Sequence, residues 1–432
     1  MVGFPVVGGC GGSITDGFSP EVEYVLVHRP EFPYSSTAFD QFHFKLIDME
    51  FRRFSFLLFV TPFLFISIAA ACSNGTCKLR DDCETDGDCE SGLYCFSCPQ
   101  GYPGSKCVRL TATPLFNLMN DSLPFNKYSF LTTHNAFAID DGTPRVTPTN
   151  QEDNVTQQLN NGVRALMLDT YDYEDTVWLC HSFGGKCHDY TKFVPAIDTL
   201  KEIEAFLSAN PKEIVTVILE DYVQAPNGLT NVFTNAGLKK YWFPVTSMPK
   251  SGQDWPLVRD MVANNQRLLV FGSVKSKEQS EGIAYQWNYM VENQYGDGGM
   301  KAGECPNRGE SSSLNDTTKS LVLVNYFRTL SLKVLACGQN NEDLLDMTKT
   351  CYTASGNRWA NFLAVDFYKR SEGGGTFQAV DLLNGERLCG CNDVHACVAK
   401  LITSLNYNLL IFLEEEVVRP EACGSNMTLG TK

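Results

Sequence analysis

The stretch YSFLTTHNAFAIDD (residues 128–141), with NGVRALMLDTYDYEDTVWLCHSFGG (161–185) and NPKEIVTVILEDYV (210–223), decides how this 432-residue chain is read. In each, a short apolar run closes on a polar, reactive residue. YSFLTT runs into His134 and Asn135, VRALML ends at Asp169, and EIVTVIL ends at Glu220 and Asp221. The same pattern recurs at 361–366, where NFLAV ends at Asp366. Continuous apolar runs of this length read as strands buried on both faces. Further runs at 267–273 (RLLVFGS) and 321–326 (LVLVNY) read the same way.

Between the runs lie amphipathic stretches. Residues 195–207 (PAIDTLKEIEAFL) place apolar side chains three and four apart behind an N-terminal proline, which predicts a helix stopped by Asn210-Pro211. Helices are also expected around 231–240, 256–264, 375–383 and 393–405. Strand–helix alternation over about 300 residues argues for an α/β fold, and one barrel of this length is common. Periodicity does not separate a barrel from a doubly wound sheet. In a parallel barrel the C-terminal strand ends meet on one rim, where active sites sit. One such polar residue could be a turn-former; four together are harder to explain so.

Composition bounds the rest. Net charge is −15, with 43% hydrophobic and 20% charged residues, an ordinary globular make-up. So acidic a chain is unsuited to nucleic acid, and to standing electrostatic attachment to anionic bilayers. Residues 54–71 (FSFLLFVTPFLFISIAAA) follow Met49-Glu-Phe-Arg-Arg and close on three alanines before Cys72, the layout of a secretory signal at 49–71. Residues 1–48 then read as an upstream extension foreign to the fold. Of 17 cysteines, Cys10 lies upstream, leaving an even set for an oxidising compartment. Sequons at Asn74, Asn120, Asn154, Asn315 and Asn426 fit a secreted glycoprotein. Seven cysteines crowd residues 72–110, too short for a core of its own, so disulfides must hold this module. Seven is odd, so full pairing needs a bridge from it to the main domain at 111–425, making it a fixed cap. Residues 426–432 are a tail without an apolar stretch, so a lipid anchor is not expected.

Two of six histidines, His28 and His43, fall in the leader, leaving His134, His181, His188 and His395. His134 and His181 both follow apolar runs. Paired imidazoles, one neutral and one protonated, suit phosphoryl cleavage near neutral pH. On the residues alone a buried or metal-bound histidine is an equal alternative.

The order His-Asn, Gly-Val-Arg…Leu-Asp, Cys-His and Leu-Glu-Asp over residues 128–223 resembles the X region of phosphatidylinositol-specific phospholipase C, most closely its plant-type secreted form with a Cys-rich N-terminal segment. The resemblance implies a TIM-like (β/α) barrel of the PLC-like phosphodiesterase type. It implies His134 as general base on the inositol 2-hydroxyl, His181 as general acid toward the departing diacylglycerol, and Asp366 orienting His134. It also implies Asn135, Asp169 and Glu220 as Ca²⁺ ligands, but Met167 stands where a further acidic residue is expected, so a weak site is favoured. The other reading is a substituting cation, Arg164 or Lys275; Arg164, five residues before Asp169, falls on the opposite strand face.

Trp287 and Tyr289, in YQWNYMVENQYGDGGM (285–300), are candidate substrate contacts or parts of a packed crossover. The run Gly373–Gly375 is a weak candidate for phosphate at a helix start. Cys389, Cys391 and Cys397 read as disulfide cysteines rather than metal ligands. The expected function is hydrolysis of an inositol phospholipid met transiently at a membrane surface outside the cell, with no stable protein partner implied. The rivals are another lipid phosphodiester, or an impaired barrel serving as a binding or adhesion module.

Overall fold

The computed structural model describes residues 72–116 and 121–397; the expected signal segment, the leader, Asn120, Asn426, the tail and most of the helix expected at 393–405 lie outside these. The Cys-rich segment forms an antiparallel pair, β1 (Leu93–Phe96) and β2 (Lys106–Arg109). The barrel strands are β3 (Phe130–Thr133), β4 (Ala165–Tyr173), β7 (Val215–Tyr222), β8 (Leu268–Gly272), β9 (Ala284–Tyr285), β10 (Met290–Glu292), β11 (Leu321–Tyr326) and β12 (Phe362–Val365). A hairpin of β5 (Thr176–Cys180) and β6 (Lys192–Pro195) extends β4 antiparallel.

The eight barrel strands pair parallel in the order β10-β11-β12-β3-β4-β7-β8-β9. This is the cyclic order of a TIM-like (β/α) barrel in which no ladder joins β9 to β10 among the described residues. The seam has a local cause: only a single 3-10 turn, Gln286–Asn288, separates those two strands, leaving no room for a helical crossover. The aromatic segment 285–300, read from the sequence as a rim loop or a packed crossover, begins in that passage and includes β10.

Side chains alternate across the strands. Phe130, Ile218, Phe271, Leu323 and Phe362 point into the barrel, where Phe125, Tyr128, Phe243 and Trp255 plug its floor. Their neighbours Leu131, Val217, Val270, Val324 and Leu363 face the outer helices. Both faces are therefore buried, which is why the strands read as unbroken apolar runs. The helix at Ala196–Ala209 turns Leu200, Ile203 and Leu207 to the sheet, as its spacing predicted. The helix at Val258–Ala263 forms within its expected stretch, those at Gly228–Asn235 and Gly375–Cys389 overlap theirs but start earlier or run longer, and that at Glu342–Ala354 was not anticipated. Among the described residues no helix is long and apolar enough to cross a membrane.

Cys72–Cys77, Cys83–Cys95 and Cys89–Cys107 staple the N-terminal segment, and Cys98–Cys337 ties it to the barrel. Tyr94 Oη donates to the Lys369 carbonyl at 3.0 Å and Arg109 pairs with Asp381 at 2.5 Å. The segment is thus a docked cap, as cysteine parity required. Cys389–Cys397 is likewise a disulfide.

Candidate active site

The strand ends meet as expected. His134, Asn135, Met167, Asp169, His181 and Glu220 line one cleft at the C-terminal mouth of the barrel. Two sharp departures from the strands help place them. Asn135, directly after His134, has φ of 42°, and Phe367, directly after Asp366, has φ of 44°, both in the left-handed region that costs a non-glycine residue energy.

His134 Nδ1 lies 2.9 Å from Asp366 Oδ1, and Asn150 Nδ2 donates to the same oxygen at 3.0 Å. Asp366 is 5% exposed. A buried carboxylate accepting Nδ1–H fixes the tautomer and leaves Nε2 as the basic nitrogen. The Phe327 ring stacks on the imidazole, with centroids 3.6 Å apart and planes at 5°. Gln151 Nε2 donates to the carbonyls of His134 and Val365, pinning β3 to β12 where His134 and Asp366 leave the sheet.

His181 is held differently. The Cys180–Cys187 disulfide closes the loop beside it, its N–H donates to the Thr191 carbonyl at 3.0 Å, and its Nδ1 donates to the Pro148 carbonyl at 2.8 Å. Burial, then the nearby His134, lower its pKa below the ordinary imidazole value, against the opposing pull of the Pro148 carbonyl. The two rings therefore share one cleft and sense each other's charge.

Asp169 is the electrostatic outlier. Burial first, and the neighbouring Glu220 second, hold its carboxyl well above the usual range, with only Arg308 opposing. With its amide turned so that nitrogen faces the carboxylate, Asn135 donates to both Asp169 oxygens at 3.1 and 3.2 Å. Tyr222 Oη donates to Glu220. Turned the other way, the Asn135 amide would add its oxygen to the two carboxylates as a hard-cation donor set, and Met167 lines the same cleft.

Four expected contacts are not there. Arg164 sits at the N-terminal end of β4, paired with Glu213 at 2.8 Å and bonded to the Leu159 and Val163 carbonyls, away from the cleft. Lys275 is exposed and is not part of the wall. Trp287 is buried, with Nε1 donating to Glu292 at 2.9 Å, and Tyr289 packs in the barrel interior near Phe271 and Trp255. Gly373, Gly374 and Gly375 are all buried, and a side chain on Gly373 would strike Arg80 of the cap, so that helix start is not open to a phosphate.

Arg308 and Arg328 are the cations that line the cleft, and Arg308 is the more deeply buried. Arg308 pairs with Glu292 at 3.0 Å and Glu310 at 3.1 Å, over the rings of Trp287 and Tyr295. Burial alone would lower its pKa, but these carboxylates more than offset that and the net shift is upward. Arg308, Asn150 and Phe327 lie outside every motif and come to the site only through the fold, so no sequence signal marked them. Tyr295 and Gly296 do come from the flagged aromatic segment. Gly296 has φ of 67°, and a β-carbon there would sit 2.5 Å from Thr329 Oγ1, so glycine lets two wall loops close on each other.

A model of the PI-PLC X 1 family matches residues 123–369. A PI-PLC X domain-containing protein of Arabidopsis thaliana is 54% identical over 349 residues, covering 79% of this chain and 81% of that one. An uncharacterized secreted protein of Arthroderma benhamiae is 25% identical over 255 residues, 54% of this chain and 56% of its own. Among solved structures, the phosphatidylinositol-specific phospholipase C of Listeria monocytogenes has a TM-score of 0.42 at 16% identity, over 61% of this chain and 94% of that one. That of Staphylococcus aureus has a TM-score of 0.41 at 12% identity, over 62% and 95%. The family relates this protein to phosphodiesterases of the PI-PLC kind. With its model spanning β3 through β12 and a relative identical at more than half of the aligned positions, the chain belongs to the PI-PLC X domain family.

Proposed function

We propose that the protein is a secreted phosphodiesterase that cleaves an inositol phospholipid. One observation carries the reading: two imidazoles line a single cleft, one backed by the Asp366 carboxylate and the other by the Pro148 carbonyl. In this mechanism His134 Nε2 takes the proton of the inositol 2-hydroxyl as that oxygen bonds to phosphorus. The bond from phosphorus to the glycerol oxygen breaks, and His181 supplies the proton that completes diacylglycerol. The other product is a cyclic inositol phosphate. Burial keeps His181 neutral in the free cleft, and the anionic phosphodiester favours the protonated form the acid role needs.

Asn135, Asp169 and Glu220 are the residues that would hold Ca²⁺. When bound, the ion supplies positive charge against the phosphate. Disulfide usage fits an oxidising, extracellular setting.

Met167 in the cleft wall supports a second reading, a barrel kept for binding with its chemistry impaired. The two part on release of cyclic inositol phosphate from phosphatidylinositol micelles, with and without chelator, for the parent and for His134→Ala. The enzymatic reading expects release by the parent and a fall of about 10²-fold or more in the variant. No release under any condition selects the binding module, and release indifferent to chelator removes the calcium assignment.

A further inference from the structure

A second cluster of ionisable side chains lies away from the cleft, where the segment leading out of the cap meets the last described helix. Asp381, on the helix at Gly375–Cys389, is 5% exposed and pairs through Oδ2 with Arg109 at 2.5 Å. Its other oxygen, Oδ1, is buried with no hydrogen-bond partner. Burial raises its pKa, and Arg109 is the largest opposing influence. His395 Nδ1 stands 2.7 Å from Asp393 Oδ1 and 3.9 Å from Asp381 Oδ2. One donor atom from each of Asp381, Asp393 and His395 lies within 4.8 Å of the others.

The surroundings hold this cluster in place. The Cys389–Cys397 disulfide closes the loop that carries Asp393 and His395, and Asp393 Oδ1 accepts the His395 backbone N–H at 2.8 Å. Thr113 Oγ1 accepts from Arg109 Nη2 at 3.0 Å and lies 3.4 Å from His395 Nε2. An Nε2–H facing that hydroxyl leaves the Nδ1 lone pair turned toward the two carboxylates, which is the outer-shell arrangement of a metal-bound imidazole. Donors on a tetrahedral ion with bonds of about 2.1 Å stand about 3.4 Å apart. Separations of 2.7 and 3.9 Å bracket that value, and the exposed Asp393 and His395 can shift to meet it while the buried Asp381 stays.

We propose that Asp381, Asp393 and His395 bind one divalent transition-metal ion, for which Zn²⁺ is the best match. The donors select the ion. One imidazole and two carboxylates, with water in the fourth place, suit zinc, whereas Ca²⁺ and Mg²⁺ take oxygen ligands. Two carboxylates against the one guanidinium of Arg109 leave the cluster negative. An ion taken on Oδ1 also gives that buried oxygen the partner the salt bridge leaves it without. Bound there, the ion clamps the loop after the helix to the helix itself, beside the segment that joins cap and barrel. The inference stands apart from the reading of the cleft, none of whose wall residues it uses.

The test is titration of the full secreted chain, free of any polyhistidine tag and stripped of metal, with Zn²⁺ in competition with a chromogenic chelator. The parent should bind the ion, and its melting temperature should rise with Zn²⁺ by mass action. His395→Ala and Asp393→Asn, at positions more than half exposed, should keep the fold. Each should weaken the binding of one equivalent by about 10²-fold or more and shrink the thermal shift. Asp169→Asn/Glu220→Gln, in the barrel mouth, should retain that equivalent. The proposal is overturned if the parent takes up no Zn²⁺, or if His395→Ala and Asp393→Asn both bind as the parent does. It is also overturned if the equivalent is lost from Asp169→Asn/Glu220→Gln instead, which places the ion in the cleft.

Discussion

Asp169 and His181 show how individual groups tie stability to function in this cleft. Asp169 has a raised folded pKa, so above that value the folded chain bears an ionised, poorly compensated carboxylate that the unfolded chain leaves in water. Neutralising it should stabilise the free protein. Asp169→Asn is expected to raise the melting temperature at pH 7 without calcium; through the proposed ion site, calcium should raise that of the parent by mass action and leave the variant unchanged. Differential scanning calorimetry with and without chelator measures both. His181 runs the other way. Its folded pKa is lowered, so as pH falls below the unfolded value of about 6.5 the unfolded chain takes up its proton first and stability declines. His181→Gln should flatten the loss of melting temperature between neutral pH and the acid side. Asp366→Asn should lower kcat by roughly 10²-fold or more with KM little changed, because the amide no longer fixes the His134 tautomer.

At the level of elements, the disulfide-closed loop after β5 is the least conventional part of the site. It carries His181 on a seven-residue separation between Cys180 and Cys187 rather than on a barrel strand. Chain entropy gives so short a closure only about 2 kcal/mol of stability. Its larger effect is positional, since Cys180 is the immediate neighbour of His181. Cys180→Ala/Cys187→Ala should therefore lower kcat by more than the modest fall in melting temperature would lead one to expect. Rescue of neither property by calcium would separate this effect from the proposed cation site. The unpaired seam between β9 and β10 follows from a similarly small cause, a connection of one 3-10 turn where the other parallel pairs are joined by longer crossovers.

For the whole molecule, the cap and the barrel behave as one structure. Cys98–Cys337 spans 239 residues, for which chain entropy gives about 5 kcal/mol. The bridge also steadies the segment holding Asn340, whose Nδ2 donates to the carbonyls of Asp366 and Phe367 at 3.0 and 3.3 Å. Cys98→Ser/Cys337→Ser is expected to cause a large fall in melting temperature together with reduced turnover. Full activity at temperatures well below that new melting point would show the bridge to be purely stabilising.

The sequence by itself determined what is local or combinatorial. Strands buried on two faces announced themselves as apolar runs, the polar strand ends named His134, Asn135, Asp169 and Glu220 in the cleft with Asp366 behind His134, and an odd number of cysteines in the cap required a bridge to the barrel. His134, Asn135, Asp169, Glu220 and Asp366 were legible because each directly follows or ends a strand that must point it at the rim, and His181 because it sits in the Cys-His motif. Only the tertiary structure decided which positive charges face the cleft, Arg308 and Arg328, and what steadies the histidines. Arg308 and Phe327 come from long connections whose path depends on packing, and Asn150 meets Asp366 across 216 residues of sequence. Arg164 and Lys275, the cations the sequence offered, fail for different reasons: Arg164 stands at the N-terminal end of β4, away from the cleft, and Lys275, though it follows the C-terminal end of β8, is exposed outside the wall. Trp287 and Tyr289 fail because an aromatic residue is as good a core-former as a ligand contact, and only neighbours distant in sequence settle which role it takes.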